Sequence, residues 1–304
     1  MIDPSLRPKA WSIVARKANA LGPLDGVAED SANVTARVAT AASLAILPII
    51  NTKPEGFETR AAAKVRCAHK IRILRAGNAQ EQLLAEKLAR CRKDNPCNSG
   101  DCDVCLGLYR LRLYRESLPI FAQHPHWTRA SVIPAGFLIP VNELSNIDLS
   151  ALASKIDKRL ERSSLRKRLA FVGIDISLNL QDNEILGWQL HLYMLIEGEN
   201  TLRLQEAIKA AFPPPPEPTA PVPYDFDEVK DPSNRITYLF KAIFKRRSRY
   251  KDANGHARTR NQSLKGPELR ELLLWLDQYP IPARLILRGI RRVGSRLVII
   301  NKTK

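Results

Sequence analysis

Four cysteines fall within fifteen residues, Cys91, Cys97, Cys102 and Cys105, in the segment CRKDNPCNSGDCDVC. The spacing C-x5-C-x4-C-x2-C constrains the local fold more than any other feature of the chain. The segment is polar and rich in turn formers, with Pro96, Gly100 and three aspartates, so it cannot bury enough apolar surface to order itself. One tetrahedral Zn2+ held by four thiolates at about 2.3 Å would order it. The closing C-x2-C step lets two thiolates grip one ion. Two disulfides are the alternative. A fifth cysteine, Cys67, leaves an odd count, and no secretory signal is visible, so a reducing compartment is expected. Four thiolates leave no open coordination position, which assigns the ion a structural role. Cys67 and His69, in RCAHK, could replace one ligand.

The chain has 304 residues, enough for one large domain or two smaller ones. Its 48 Lys and Arg against 31 Asp and Glu leave a formal charge of +17. Nothing in folding requires such a surplus, so a polyanionic partner is expected, nucleic acid first and an acidic membrane surface second. The longest apolar stretch, ATAASLAILPII (39–50), contains Pro48 and is shorter than the run of about 18 residues needed to span a bilayer.

Residues 1–65 show poor periodicity and read as a partly disordered extension with a short helix near 32–46. Residues 66–92 read as helical, with Leu83, Leu84 and Leu88 at helical spacing. After the cysteine loop, LGLYRLRLYRESL (106–118) reads as a basic amphipathic helix carrying Arg110, Arg112 and Arg115. SVIPAGFLIPV (131–141) reads as a buried strand and 149–169 as a helix. LAFVGIDISLNL (169–180) and WQLHLYMLIEG (188–198) read as an antiparallel hairpin. Helix 201–212 stops at the proline-rich loop 213–223, which cannot continue a helix or a central strand. SNRITYLFKAIFKRRSRY (233–250) reads as a helix capped by Ser233 or Asn234, and 251–265 as a flexible loop. A basic module at 251–304 follows, with a helix at 268–279 and two strand-like segments around Arg291 and Arg292. This order predicts an α+β fold, an antiparallel sheet covered by helices, with an inserted zinc-binding loop. The main body is 66–250. No glycine-rich phosphate loop follows any strand.

Three further residues carry potential chemistry. Asp175 interrupts an apolar strand, where a carboxylate is costly unless paired or metal-bound. His191 lies mid-strand among apolar neighbours, a setting common for a satisfied core histidine. If the two strands pair as a hairpin, Asp175 and His191 can face one side and hold a hard divalent ion. Tyr238 precedes Lys241 by three residues, so the two share a helix surface and the ammonium would favour a phenolate nucleophile. Taken alone, Tyr238 reads first as a tyrosine packed at a helix boundary.

The order of these features resembles the HUH-type endonucleases, specifically the rolling-circle replication initiators of small plasmids. CDVC stands where that family has C-P-x-C, with Asp103 in place of the proline, and LGLYRLRLYRE matches its arginine-rich helix. AGFLIPVNEL occupies the slot of an F-L-T-L-T strand. VGIDISLNLQDNEILGWQLHLYML matches an acidic strand leading into W-x-P-H-U-H, with Asp175, Trp188 and His191 in register. Tyr238-Leu239-Phe240-Lys241, with Lys245 after it, matches Y-x-x-K. The resemblance covers about residues 90–250 and departs from the family at Tyr193, which gives H-L-Y in place of H-U-H. It implies an HUH-like fold and a nickase of single-stranded or hairpin origin DNA, in which Tyr238 attacks and Lys241 assists. It also implies Mg2+ or Mn2+ at His191 and Asp175, with Gln189 or Glu184 as substitute ligands. Such a protein would work in the bacterial cytoplasm, on a plasmid or nucleoid, with host replication proteins as partners. DNA contacts would come from Arg110, Arg112, Arg115, Lys245, Arg246, Arg247, Arg291 and Arg292. A phenol is a poor ligand at neutral pH, because its pKa is near 10. The alternative is therefore a catalytically degenerate zinc-containing DNA-binding protein derived from a mobile element. HPHW (124–127) is a second histidine pair outside the strand hairpin.

Overall fold

The computed structural model describes residues 57–92, 94–182, 184–215, 223–251, 254–294 and 296–300. In chain order its elements are α1 (Arg60–Arg75), α2 (Ala79–Ala89), α3 (Asp103–Gln123), β1 (Trp127–Val132), β2 (Leu138–Ile139), α4 (Leu149–Arg162), β3 (Ala170–Gln181) and β4 (Glu184–Glu197). Then come α5 (Leu202–Ala211), β5 (Tyr224–Glu228), α6 (Pro232–Ile236), β6 (Lys245–Lys251), β7 (Ala257–Ser263), α7 (Gly266–Asp277), β8 (Leu285–Arg288), β9 (Ile290–Val293) and β10 (Arg296–Ile299). The helix expected at 32–46, most of the extension 1–65 and most of the loop 213–223 lie outside the described residues.

The long β3–β4 hairpin organises the fold. Its alternation places Val172, Ile174, Ile176, Leu178 and, across the ladder, Leu190, Leu192, Met194 and Ile196 on one face. That face packs against Leu152, Ile156 and Leu160 of α4, Leu204 and Ile208 of α5, and Leu272 and Trp275 of α7. The sheet runs β5-β1-β4-β3-β6-β7, with β2 added to β4 and β8 to β3. All pairings are antiparallel except β3 with β6. The opposite face begins with Phe171, Leu195 and Trp127, which pack under α3 with Leu113 and Phe121. Phe121 meets Trp127 edge-on at 5.0 Å between ring centroids, a preferred aromatic geometry. Farther along, that face turns polar.

The outer edge of β3 has two partners. β8 pairs with Ala170–Gly173 and β6 with Leu178–Gln181. Between them, Ile174–Ser177 meets no strand among the described residues, and Asp175 sits in that gap.

The α+β class holds, and several local expectations do not. The segment 233–250 is not one helix. It is a five-residue helix from Pro232, a 3-10 turn Thr237–Leu239, an extended break at Phe240 and then strand β6. The cap at its start is Asp231, which accepts from the Asn234 N–H at 3.2 Å. The expected loop 251–265 contains strand β7, the partner of β6. The expected strand 131–141 splits into β1 and β2 around Gly136, whose φ of 77° suits glycine. Helix 66–92 is two helices joined at Gly77–Asn78, with Asn78 and Glu81 forming a capping box. The residues expected as a separate module at 251–304 supply β7, α7 and β8 to the central sheet and core.

Candidate functional site

The four cysteines converge. Cys91 follows α2, Cys97 and Cys102 lie in the loop, and Cys105 is in the first turn of α3. Sγ separations are 3.5 Å for Cys91–Cys105, and 3.7 Å for Cys97–Cys105 and Cys91–Cys102. A tetrahedron with bonds of about 2.3 Å has edges of about 3.8 Å, so the thiols fit a single ion. All four sulfurs lie within 4.8 Å of one another, and the group can hold a metal ion. His69 is exposed and bonded to Arg72, away from the cluster. Cys67 is buried beside Cys102, and the hydrogen bond between them, reinforced by burial, holds the Cys67 thiol above the ordinary range. Thiol hydrogen bonds from the neighbours, Cys105 first, hold Cys102 far below it.

The loop is anchored from two sides. Lys70 of α1 donates to the Asp101 carbonyl at 2.6 Å and pairs with fully buried Asp103 at 2.9 Å; Arg66 pairs with Asp103 at 3.2 Å. Gly100 rests on the carbonyls of Leu276 and Tyr279, where a Cβ would stand 2.5 and 2.8 Å away. Sequence reasoning missed this clamp. Its signal was the i, i+4 pair Arg66 and Lys70 flanking Cys67.

Asp175 and His191 share a face, as the alternation implies, and the register makes them direct cross-strand partners. Both are buried, at 4% and 1% exposure, in a polar strip with Ser177, Asn179 and Gln189. Asp175 Oδ2 accepts from Lys241 Nζ at 2.6 Å. Burial alone would raise the Asp175 pKa; the ammonium of Lys241, with the Arg284 guanidinium, reverses that and holds it below the usual carboxylate range. Burial pushes the His191 imidazole down to about 3; Arg247 and Lys241 add to the effect and Asp175 opposes it. His191 Nε2 lies 2.7 Å from Ser177 Oγ, whose hydroxyl donates to Asn179 Oδ1 at 2.8 Å. Arg284, 3% exposed, lies between the rings of Phe240 and Phe244 at 5.6 and 5.5 Å. Burial lowers its pKa to about 10.

As placed, these side chains are engaged with one another and with Lys241. Asp175 Oδ2 and His191 Nε2 are the engaged atoms, while Asp175 Oδ1 has no hydrogen-bond partner. Glu184 pairs with Gln181 at the far end of the hairpin, six residues beyond Asp175 and so about 20 Å away at about 3.3 Å per residue. Among the described residues, the cysteines are the one His, Cys, Asp or Glu cluster with metal-binding spacing. In HPHW, His124 Nδ1 is 2.6 Å from Glu197 Oε1.

Tyr238 is 56% exposed on the 3-10 turn. It lines a cavity of about 110 Å3 with Tyr193, Met194, Leu195, Leu239, Arg129 and Arg235. His191 is not among the lining residues; the phenol of Tyr193, two residues along the same strand face, is. The Arg235 guanidinium lies 5.9 Å from the Tyr238 ring centre, and Arg110 Nε donates to the Thr237 carbonyl at 2.9 Å. Arg129 is held by Asp225 and Asp227 at 2.7 and 2.8 Å. Lys241 does not follow Tyr238 on a helix face; it lies beyond the break at Phe240 and reaches Asp175 instead.

Several arginines expected at the DNA have internal partners. Arg110 pairs with Glu58 at 2.9 Å, Arg112 with Glu116 at 2.6 Å, Arg292 with Glu116 at 2.6 Å, and Arg246 with Glu268 at 3.3 Å. Arg115 is half-buried and Arg291 exposed. The β6–β7 ribbon gathers a denser basic surface. Lys245, Arg247 and Arg249 alternate along β6, and exposed Arg258 and Arg260 lie on β7. No helix among the described residues is long and apolar enough to cross a membrane. No family model, curated protein or solved structure matches the chain.

Proposed function

We propose that this chain is a DNA-binding, replication-initiator-like protein that nicks single-stranded DNA by tyrosine transesterification, with Tyr238 as nucleophile. The observation that carries this reading is the shared cavity. An exposed tyrosine opens onto a small pocket with two arginines, beside the strand pair whose partners are Asp175 and His191. A phosphodiester seated there would meet the guanidiniums of Arg129 and Arg235 and the Tyr238 hydroxyl together. The Tyr238 Oη–P bond forms as the P–O3′ bond breaks. The phenolic proton passes to solvent and the departing 3′ oxygen takes one up. The product is a 5′-phosphotyrosyl link and a free 3′ hydroxyl.

Zinc at the four cysteines would act as a structural clamp, fixing the start of α3 against α1 and α7. The basic β6–β7 ribbon would track the phosphate backbone, with affinity that falls as salt rises. The alternative, a DNA-binding remnant without nicking, draws on the burial of His191 and on Tyr193 in the position of the second histidine.

The test is incubation of the zinc-loaded protein with labelled single-stranded DNA, followed by denaturing electrophoresis. Retarded label in wild type, absent in Tyr238→Phe with binding retained, supports the nickase. Tight DNA binding with no adduct in either protein supports the remnant, and no DNA binding at all defeats both.

A further inference from the structure

We infer that Lys241 takes the place of a divalent ion in this site. Held by Asp175 and by the face of Tyr193, its ammonium is the fixed positive charge that attracts, from behind the Tyr193 ring, the phosphate of a strand entering the Tyr238 cavity. The site itself binds neither Mg2+ nor Mn2+. The phosphate half of this statement rests on the reading above; the ion half does not.

Three observations carry it. The first is position. Lys241 Nζ is 2.6 Å from Asp175 Oδ2 and 4.1 Å from the centre of the Tyr193 ring. An ammonium is therefore fixed between the carboxylate and the ring at the third position of H-L-Y. Tyr193 also lines the cavity, so the charge stands one ring away from whatever the cavity holds. The Lys241 side chain keeps 23% exposure where Asp175 keeps 5%, so the cation, unlike its partner, has access to solvent and to a ligand.

The second is the donor set. A divalent ion of this class wants several oxygen or nitrogen donors. The carboxylate has one oxygen, Oδ1, without a partner. The imidazole is turned toward Ser177, and the next residue on that strand face is a phenol.

The third is the charge count. One carboxylate, Asp175, faces the ammonium of Lys241 and the guanidinium of Arg284, and Arg247 adds a further positive charge near His191, which stays neutral. A dication would enter an environment already positive. A phosphate would enter one that attracts it, and an ammonium is a compact charge suited to that contact.

The experiment uses the full-length zinc-loaded protein in buffer cleared of Mg2+ and Mn2+ on chelating resin. A soluble chelator is avoided because it would also attack the cysteine site. Mn2+ is titrated in and free Mn2+ is read by electron paramagnetic resonance. Wild type is expected to bind no Mn2+ up to millimolar concentration, and the double variant Lys241→Met, Tyr193→His to gain one site. A wild-type site that disappears in Asp175→Asn would overturn the inference.

In parallel, affinity for a single-stranded oligonucleotide is measured against salt without divalent ions. Lys241→Met should reduce the log–log slope by about 0.7, one phosphate contact on a single strand. Lys241→Arg should restore it, with circular dichroism confirming that both variants fold. An unchanged slope in folded Lys241→Met would leave the lysine a purely structural counter-ion and overturn the phosphate role. Absence of oligonucleotide binding by wild type would defeat the proposed function and the phosphate role with it, while the Mn2+ titration still decides the ion.

Discussion

Replacing Gly173 by alanine tests how the Tyr238 turn is seated. Gly173 lies in β3 directly across from Tyr193. Its φ is not in the left-handed region, so its backbone accepts alanine and only space is at issue. An added Cβ would stand 2.8 Å from the Leu239 carbonyl carbon and 2.9 Å from its Cα, with the carbonyl oxygen nearer still. Ordinary contact begins at 3.4 Å, so the turn must withdraw by more than half an ångström. Backbone atoms cannot rotate away as a flexible side chain could. Overpacking of this kind costs about 1–3 kcal/mol. At about 2–4 °C per kcal/mol for a domain of this size, melting should fall by about 2–12 °C. Tyr238 precedes Leu239 and moves with it, and a misplacement near 1 Å can cost about 100-fold in rate. Thermal denaturation by circular dichroism reads the first effect and adduct yield the second, while oligonucleotide affinity should change little. If Gly173→Ala melts with wild type and forms adduct equally well, the turn is not seated on β3 as described.

The cysteine site should hold about one zinc per chain by elemental analysis. Cys102→Ser should lose that zinc and unfold the loop; protein purified free of chelator yet containing no zinc would refute the site. His191 titrates at about 3 in the folded chain against 6.5 ordinarily, so the unfolded chain binds more protons between those values. Its contribution to stability is therefore complete above about pH 6.5 and is lost as pH falls toward 3, at up to about 1.4 kcal/mol per pH unit. Urea titrations should show His191→Gln with a flatter profile over that window; identical slopes in both proteins would refute the assignment. Arg112→Ala should lower the melting temperature, because it leaves Glu116 with one partner fewer, and should barely alter the salt slope of oligonucleotide binding. Arg260→Ala on exposed β7 should do the reverse, reducing the slope by about 0.7. If the two variants exchange these effects, the basic ribbon is not the phosphate track.

The sequence alone determined what depends on short-range periodicity. A spacing of x5, x4 and x2 puts four thiols in one short turn-rich loop, within reach of a single ion. Period-two alternation put Asp175 and His191 on one face once the hairpin formed, since a one-residue register slip would have turned Val172, Ile174 and Ile176 out of the core. The α+β class and the helices expected at 106–118, 149–169 and 201–212 were legible for the same reason, although the second ends at Arg162.

What the tertiary structure decided is what depends on distant partners. The run Ile236, Leu239, Phe240, Ile243 carries helical spacing. The chain nevertheless leaves the helix because β3 offers an open edge to Lys245–Lys251, and β7 then pairs with the new strand. An apolar run that short satisfies either geometry, and a strand is stabilised by hydrogen bonds that only the assembled sheet supplies. That break carries Lys241 off the surface of Tyr238 and onto Asp175, across 66 residues of chain. Distant partners also decide the arginines of α3. Their spacing gives an exposed basic stripe, while Glu58 and Arg292, remote in sequence, turn much of that stripe inward. Local sequence sets which side chains share a face. Which charge meets which is set by the packing of elements far apart in the chain, because an ion pair forms wherever two groups are brought within reach.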